Sequence, residues 1–328
     1  MRRREVLALT MALALRPASA FAQAGSRLRR VGFLGTWGEM DVEGTPRLER
    51  FRARLKELGW TEGANLELAI RYGYNKGERI QQGAAELMAL SLDAVVSTTS
   101  TTTRALMDAG GNTPIVAAVS GDPIALGFTK NLSQPTANVT GFTTFNDTLA
   151  AKRFEMLHEI VPAMRTAALI WAAANPQQAL LESQTRQAAK GLDIELLSLP
   201  VRSADDVAAA MAGLRDKKVA ALIVAADPLT VANGRIIIDE CIAMKLPAMH
   251  TFLSEAKNGA LMAYGIDVMD SYRRTAEYVD QLLKGKRVAD LPFQEPTRFT
   301  LAINLKTARA IDVSIPATVL ALADEVIE

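Results

Sequence analysis

A single cysteine, Cys241, rules out any disulfide within the chain. It stands in the apolar stretch Ile236–Ala243, which reads as the buried face of a helix, where a thiol is inert. The two histidines, His158 and His250, lie far from it and from each other, so no Cys/His metal centre is expected. Aromatic residues make up only 5% of the chain, which leaves Ala, Leu, Val and Ile to build the core. Neither sign of charge dominates, with 37 basic against 36 acidic side chains. A near-neutral surface lacks the footprint that phosphate-backbone binding needs, so nucleic acid is not an expected partner.

Motifs for chemistry are equally scarce. His158-Glu159 opens an H-E-x-x-H pattern that Pro162 breaks at its last position. Neither a G-x-S-x-G elbow nor a G-x-x-x-x-G-K-[ST] loop occurs. Gly32, Gly35 and Gly38 follow a strand-like run at the wrong spacing for a dinucleotide fingerprint. The expectation is a protein without catalysis, cofactor or metal.

What the sequence does carry begins with an export label. Arg2, Arg3 and Arg4 precede the apolar run Val6–Leu15, too short to span a bilayer, and Ala20-Phe21-Ala22 fits a cleavage rule. Residues 1–22 therefore read as a signal peptide, and Arg3-Arg4-Glu5-Val6-Leu7 fits twin-arginine as well as general secretory export. Removing it takes away Arg2, Arg3, Arg4, Arg16 and Glu5, leaving 33 basic against 35 acidic side chains. No later segment holds ~18 uninterrupted apolar residues, so the mature chain is expected not to span a membrane.

Behind the leader, 328 residues in all suit two domains. Strand-like runs at Val31–Gly35, Leu66–Tyr72, Ala94–Thr98 and Ile115–Val119 alternate with helical patterns, such as Leu48, Phe51, Leu55 and Leu58. After the Gly/Asn/Thr-rich stretch Gln134–Asn146 a second set follows. Its strands are Ala167–Ala172, Ile194–Leu199, Ala220–Ala226 and Ala260–Tyr264, and its helices include Pro176–Lys190, Ala204–Leu214 and Tyr272–Leu283. Such alternation predicts an α/β protein of two Rossmann-like lobes with parallel sheets and a cleft between them. Ligands bind open α/β sheets at the turns beyond the strands' carboxyl ends.

Those turns are small and polar. Gly35-Thr36-Trp37-Gly38, the hydroxyl cluster Thr98–Thr103 and Ser120-Gly121-Asp122-Pro123 follow strands of the first set. Asn175-Pro176, Asp227-Pro228 and Gly265-Ile266-Asp267 follow strands of the second. Hydroxyls and free N–H groups at a helix start can hold an anion such as a carboxylate, although Ser and Thr there serve equally as N-caps. Thr36, Thr99, Ser100, Thr101, Ser120, Asp122, Asn175, Asp227 and Asp267 are the candidate polar ligand contacts. Trp37, between two glycines with little core to enter, is expected to stack on the ligand. His250 is a further residue that could border the cleft.

Several longer segments carry a resemblance. Ser120-Gly121-Asp122-Pro123, Asn138–Phe142, Asp227–Asn233, Tyr264–Asp267 with Tyr272–Ala276, Leu283-Lys284-Gly285, Ile303–Ala308 and Ala323–Glu328 are similar to the ABC-transporter substrate-binding family related to the tryptophan-binding protein TrpX. The resemblance implies a periplasmic-binding fold, type I-like, with a three-crossover hinge. It divides the chain into an N-terminal lobe of 28–142 plus 268–297 and a C-terminal lobe of 143–267 plus 298–328. It also implies a periplasmic protein that binds a small-molecule solute, among characterised relatives an aromatic amino acid, and hands it to an ABC permease in the inner membrane. Ser120-Gly121 and the cleft-facing His250-Thr251-Phe252 depart from the commoner pattern and leave the solute open. The same fold also suits an extracellular ligand sensor feeding a membrane receptor or histidine kinase.

Overall fold

The computed structural model describes residues 28–144 and 148–328; the signal peptide expected over residues 1–22 lies outside the described residues. The first sheet is built from β1 (Arg29–Gly35), β2 (Leu66–Tyr72), β3 (Ala94–Ser97), β4 (Ile115–Ser120) and β5 (Val139–Thr143). All are parallel, in the order β2-β1-β3-β4-β5. Its strands alternate with α1 (Gly44–Glu57), α2 (Gly77–Met88) and α3 (Ser100–Asp108).

The second sheet repeats that order with β6 (Thr166–Ala172), β7 (Glu195–Val201), β8 (Ala221–Val224), β9 (Ala248–His250) and β10 (Met262–Ile266), arranged β7-β6-β8-β9-β10. Before and between these strands come α4 (Thr148–Ile160), α5 (Pro176–Gly191), α6 (Ala204–Leu214), α7 (Pro228–Ala232), α8 (Gly234–Ala243) and α9 (Leu253–Lys257). The chain then returns to the first lobe as α10 (Val268–Leu283). It comes back to the second sheet as β11 (Phe299–Asn304) and finishes through α11 (Leu305–Ala310), α12 (Ala317–Ala321) and β12 (Glu325–Ile327).

Each lobe has its own core, and the scarcity of aromatics is visible in both. The second lobe packs mainly Leu, Ile, Ala and Met around Phe154. In the first, α10 lays Tyr272, Val279 and Leu283 against Phe33, Phe51 and Leu55. The three crossings are bonded to one another: Thr143 N–H donates to Gln294 O and Gln294 N–H to Gly141 O, each at 3.0 Å, and Asp267 N–H donates to Arg298 O at 3.0 Å.

Strand Leu66–Tyr72 and helix Ala204–Leu214 run over the residues that periodicity assigns them. Helix α3 begins inside the hydroxyl cluster, at Ser100, because Thr99 and Thr102 form a capping box that fixes its first turn. The stretch Gln134–Asn146, read as a joint, contains β5, buried throughout. Nor are the sheets wholly parallel: β11 arrives from the hinge side and pairs antiparallel with β10.

Gly141 sits in β5 at φ +143, and a Cβ there would meet Ala117 O at 2.1 Å. Backbone, not a flexible side chain, is the obstacle. Gly141→Ala is therefore expected to destabilise the protein by about 2–3 kcal/mol, measured as a lowered midpoint in urea unfolding.

Candidate ligand site

In both sheets the order reverses at one place, between β1 and β3 in the first and between β6 and β8 in the second. Connections from adjacent strands diverge there and leave a crevice, the place where open α/β sheets bind ligands. Side chains close each crevice from within. Thr36 N–H donates to Thr98 Oγ1 at 3.2 Å, joining the ends of β1 and β3. Asn175 Nδ2 donates to Asp227 Oδ2 at 2.9 Å, joining the ends of β6 and β8. The two crevices face each other, and Gln177 Nε2 donates across the gap to Ser100 Oγ at 3.2 Å. The same Ser100 oxygen accepts from Gly121 N–H at 3.0 Å. A Cβ on Gly121 would meet the Gln177 amide at 2.3 Å, so glycine is what lets this side chain reach across.

Ser100, Asn175 and Asp227, all read from the sequence, belong to one network through Gln177, whose backbone N–H donates to Asn175 Oδ1 at 3.1 Å, while Thr36 stands apart with Thr98. The other candidates divide. Thr99 is the N-cap of α3 and Asp227 that of α7; Asn175 caps α5, and Asp267 caps α10 through Asp270 N–H at 2.9 Å. Asp122 turns onto the N–H groups of Ile124 and Ala125. Thr101 is exposed on α3, and Ser120 is buried with its hydroxyl unpartnered among the described residues.

Trp37 does not stand free to stack. It is 5% exposed, packed against Phe33 and Tyr272 with ring centroids at 6.3 Å in each case. A Cβ on Gly44 would meet its indole at 2.2 Å, so the flanking α1 start lies flush on the ring. The glycines thus admit the indole to the core rather than hold it out. A surface cavity of about 390 Å³ beside β2, lined in part by Trp37, Glu39, Arg52 and Tyr72, lies outside the gap.

Other residues at the gap escaped the sequence reading. Arg47, on α1 and not among the candidates, places its guanidinium 5.8 Å from the Trp37 ring and 5.6 Å from that of Phe252 in the other lobe. Gln177, one of a plain Gln pair, has only its place after the Asn175-Pro176 cap to mark it. His250 is fully buried instead of bordering the gap. Its Nδ1 lies 3.1 Å from Glu255 Oε1, and Glu255 Oε2 accepts from the N–H groups of Thr251 and Phe252 at 3.2 and 2.9 Å. Burial pushes the Glu255 carboxyl up, but the hydrogen bond and charge of His250 and the two backbone donors outweigh it and hold it below its ordinary range. Arg153 donates to Tyr264 O at 3.0 Å. Burial pulls its guanidinium down to about 10, opposed by Glu255, so it stays charged at neutral pH. Burial likewise pushes the Cys241 thiol up to about 12, leaving no thiolate.

Residues 48–327 match the family of ABC transporter substrate binding proteins, and the chain belongs to it. A tyrosine-binding protein of Clostridioides difficile is 22% identical over 262 residues, 80% of this chain and 75% of that protein. The fold overlays on an ABC domain from Streptococcus pneumonia in complex with L-Trp with a TM-score of 0.84, at 21% identity over 91% of this chain and 99% of the other. A conserved domain protein from Vibrio cholerae gives 0.82 at 24% identity, over 92% and 100%. The ligand-free, open structure of a substrate-binding protein from Clostridium difficile gives 0.72 at 19% identity, over 91% and 99%.

Glu255 ties the loop carrying Phe252 to the buried core, and its stabilising effect depends on charge. Glu255→Gln is expected to lose about 1–3 kcal/mol at pH 7. A carboxyl depressed in the fold stabilises above its unfolded value near 4.5 and loses that contribution as pH falls through its lower folded value. The gap between variant and wild type should accordingly close in acid, as followed by thermal melting from pH 7 down to 3.

Proposed function

We propose that this chain is the extracytoplasmic solute-binding component of an ABC-type importer and that it takes an aromatic amino acid into the gap between its lobes. The observation carrying this reading is the Ser100–Gln177 hydrogen bond, which links the two crevices where α/β sheets accept ligands. A solute seated there touches both lobes only when they are together. Binding then favours the closed arrangement by the difference in its contacts to the two states. The tyrosine-binding relative and the L-Trp complex support the choice of solute.

The moving bodies in this reading are 28–142 with 268–297 and 143–267 with 298–328. Thr36, Ser100, Asn175 and Asp227 meet the solute; Thr99, Ser120, Asp122 and Asp267 shape the turns around it. The role is non-catalytic: a grip and release, with an inner-membrane permease as the receiver. Residues 1–22 direct the chain to the periplasm. Among the described residues no helix is long and apolar enough to cross a membrane, in keeping with a mature protein that diffuses to its permease.

L-Tyrosine or L-tryptophan at a hundred times its dissociation constant should stabilise the protein by about 2.7 kcal/mol, read as a raised melting temperature. Small-angle scattering should show the radius of gyration fall on saturation of a sample stripped of ligand by unfolding and refolding. An unchanged melting temperature across the aromatic amino acids would sink the choice of solute, and an unchanged radius with a bound solute would sink closure.

A further inference from the structure

Two aromatic side chains at the carboxyl end of the first sheet are, like Ser120, buried with a polar atom unmet. Trp37 is 5% exposed and Tyr272 0%, yet neither the indole Nε1 nor the phenol hydroxyl has a hydrogen-bond partner among the described residues. Unmet buried donors are rare because they forfeit water without replacement. These two are neighbours, with ring centroids 6.3 Å apart. The Trp37 Nε1 has no exposed surface, so it does not open into the lateral cavity beside β2.

A third donor covers them. The Arg47 guanidinium lies over the Trp37 ring at 5.8 Å, and its charge acts on the Tyr272 phenol. Burial holds that phenol in its protonated, donating form. Arg47 has five N–H groups and gives one nitrogen, Nη2, to Glu43 at 2.9 Å. The guanidinium also lies 5.6 Å from the ring of Phe252 in the other lobe, which covers it.

An indole N–H, a phenol O–H and a guanidinium together offer donors and positive charge, and this combination matches an anionic acceptor with two oxygens. We propose that Arg47, Trp37 and Tyr272 form a carboxylate-binding subsite on the first lobe, which Phe252 covers from the second when the lobes close. The subsite rests on the reading of the gap as a solute site and deepens it. It selects solutes by their acid group, and a primary amide or an amine of the same shape meets the guanidinium without compensation.

The test uses calorimetry on the full mature chain. L-Tryptophan and L-tyrosine are compared with their primary amides, with tryptamine and tyramine, and with indole-3-propionate and 3-(4-hydroxyphenyl)propionate. Acids should bind about ten- to a hundredfold tighter than the amides and amines. Arg47→Met should bring the acid-to-amide affinity ratio down toward one, whatever it does to binding of both in common, and Tyr272→Phe should weaken acids several-fold. Acids and amides binding equally, or Arg47→Met weakening both alike, overturns the subsite while the solute reading stands. Propionates binding through Arg47 with no amino acid bound keeps the subsite and overturns the choice of solute.

A probe independent of any aromatic solute is acetate. The Trp37 indole N–H resonance, isolated in a Trp60→Phe, Trp171→Phe background, should shift on acetate titration and stay fixed in the Arg47→Met variant. A resonance that acetate does not move overturns the proposal whatever the amino acids do.

Discussion

Three bonded chain crossings govern this molecule. Gly141, Gln294 and Thr143 share backbone hydrogen bonds, and Asp267 bonds Arg298, so the segments between the lobes form one strap instead of separate tethers. In the proposed closure this strap is the part that bends. It keeps the reversal points of both sheets aimed at each other, and every cross-gap contact follows from that aim. The contacts themselves are modest. A neutral hydrogen bond such as Ser100–Gln177 contributes about 0.5–1.5 kcal/mol. A cation over a ring, as with Arg47 and Phe252, contributes about 0.5–2 kcal/mol. Moving an equilibrium from almost wholly open to almost wholly closed takes about 5.5 kcal/mol. On the closure proposed above, the protein's own contacts bias the closed form without completing it, and a solute has a share left to supply.

How the polar turns are used separates structure from recognition. A hydroxyl or carboxylate after a strand has first to satisfy the free N–H groups of the helix that follows. Thr99, Asn175, Asp227 and Asp267 do this in α3, α5, α7 and α10. Asn175 and Asp227 have capacity left after capping and spend it on each other. Asp122 has turned wholly to its local backbone. Among the turn residues Ser120 keeps an unmet hydroxyl, and two buried aromatics, Trp37 and Tyr272, whose residue types suggest core and not contact, also keep an unmet polar atom.

Much of this fold was legible in the sequence, because β-branched runs and 3.6-residue spacing respond to local burial. Leu66–Tyr72 and Ala204–Leu214 are found where the pattern puts them. β5 was hidden since Val139-Thr140-Gly141-Phe142-Thr143 has the composition of a turn; only its neighbours on β4 and in the hinge make it a strand. The reversed β11 was equally hidden, for strand direction is set by where the chain re-enters the sheet. The site was legible to the level of its turns and no further. Nothing in the one-dimensional pattern separates Ser100, which meets the other lobe, from Thr101, which faces solvent one residue on. Gln177 matters through the opposite lobe and Arg47 through both its own lobe's Trp37 and the other's Phe252, and a single lobe's periodicity carries no trace of these contacts.

The scarcity of aromatics gives their placement weight. In the first lobe Phe51, Phe33, Trp37 and Tyr272 form a continuous chain of rings with centroid separations of 5.6, 6.3 and 6.3 Å, running from beneath α1 to the start of α10. Rings pack with few rotatable bonds, so this chain is a stiff floor under Arg47. The second lobe has no comparable series among the described residues. Its gap-facing loop is held by charge, through Glu255 and His250. One lobe therefore offers a fixed surface and the other a loop pinned at its base. In the proposed closure Phe252 comes down on a guanidinium that the floor has already positioned. A carboxylate entering between them would find its donors oriented beforehand, and little of its binding free energy would go into ordering the protein.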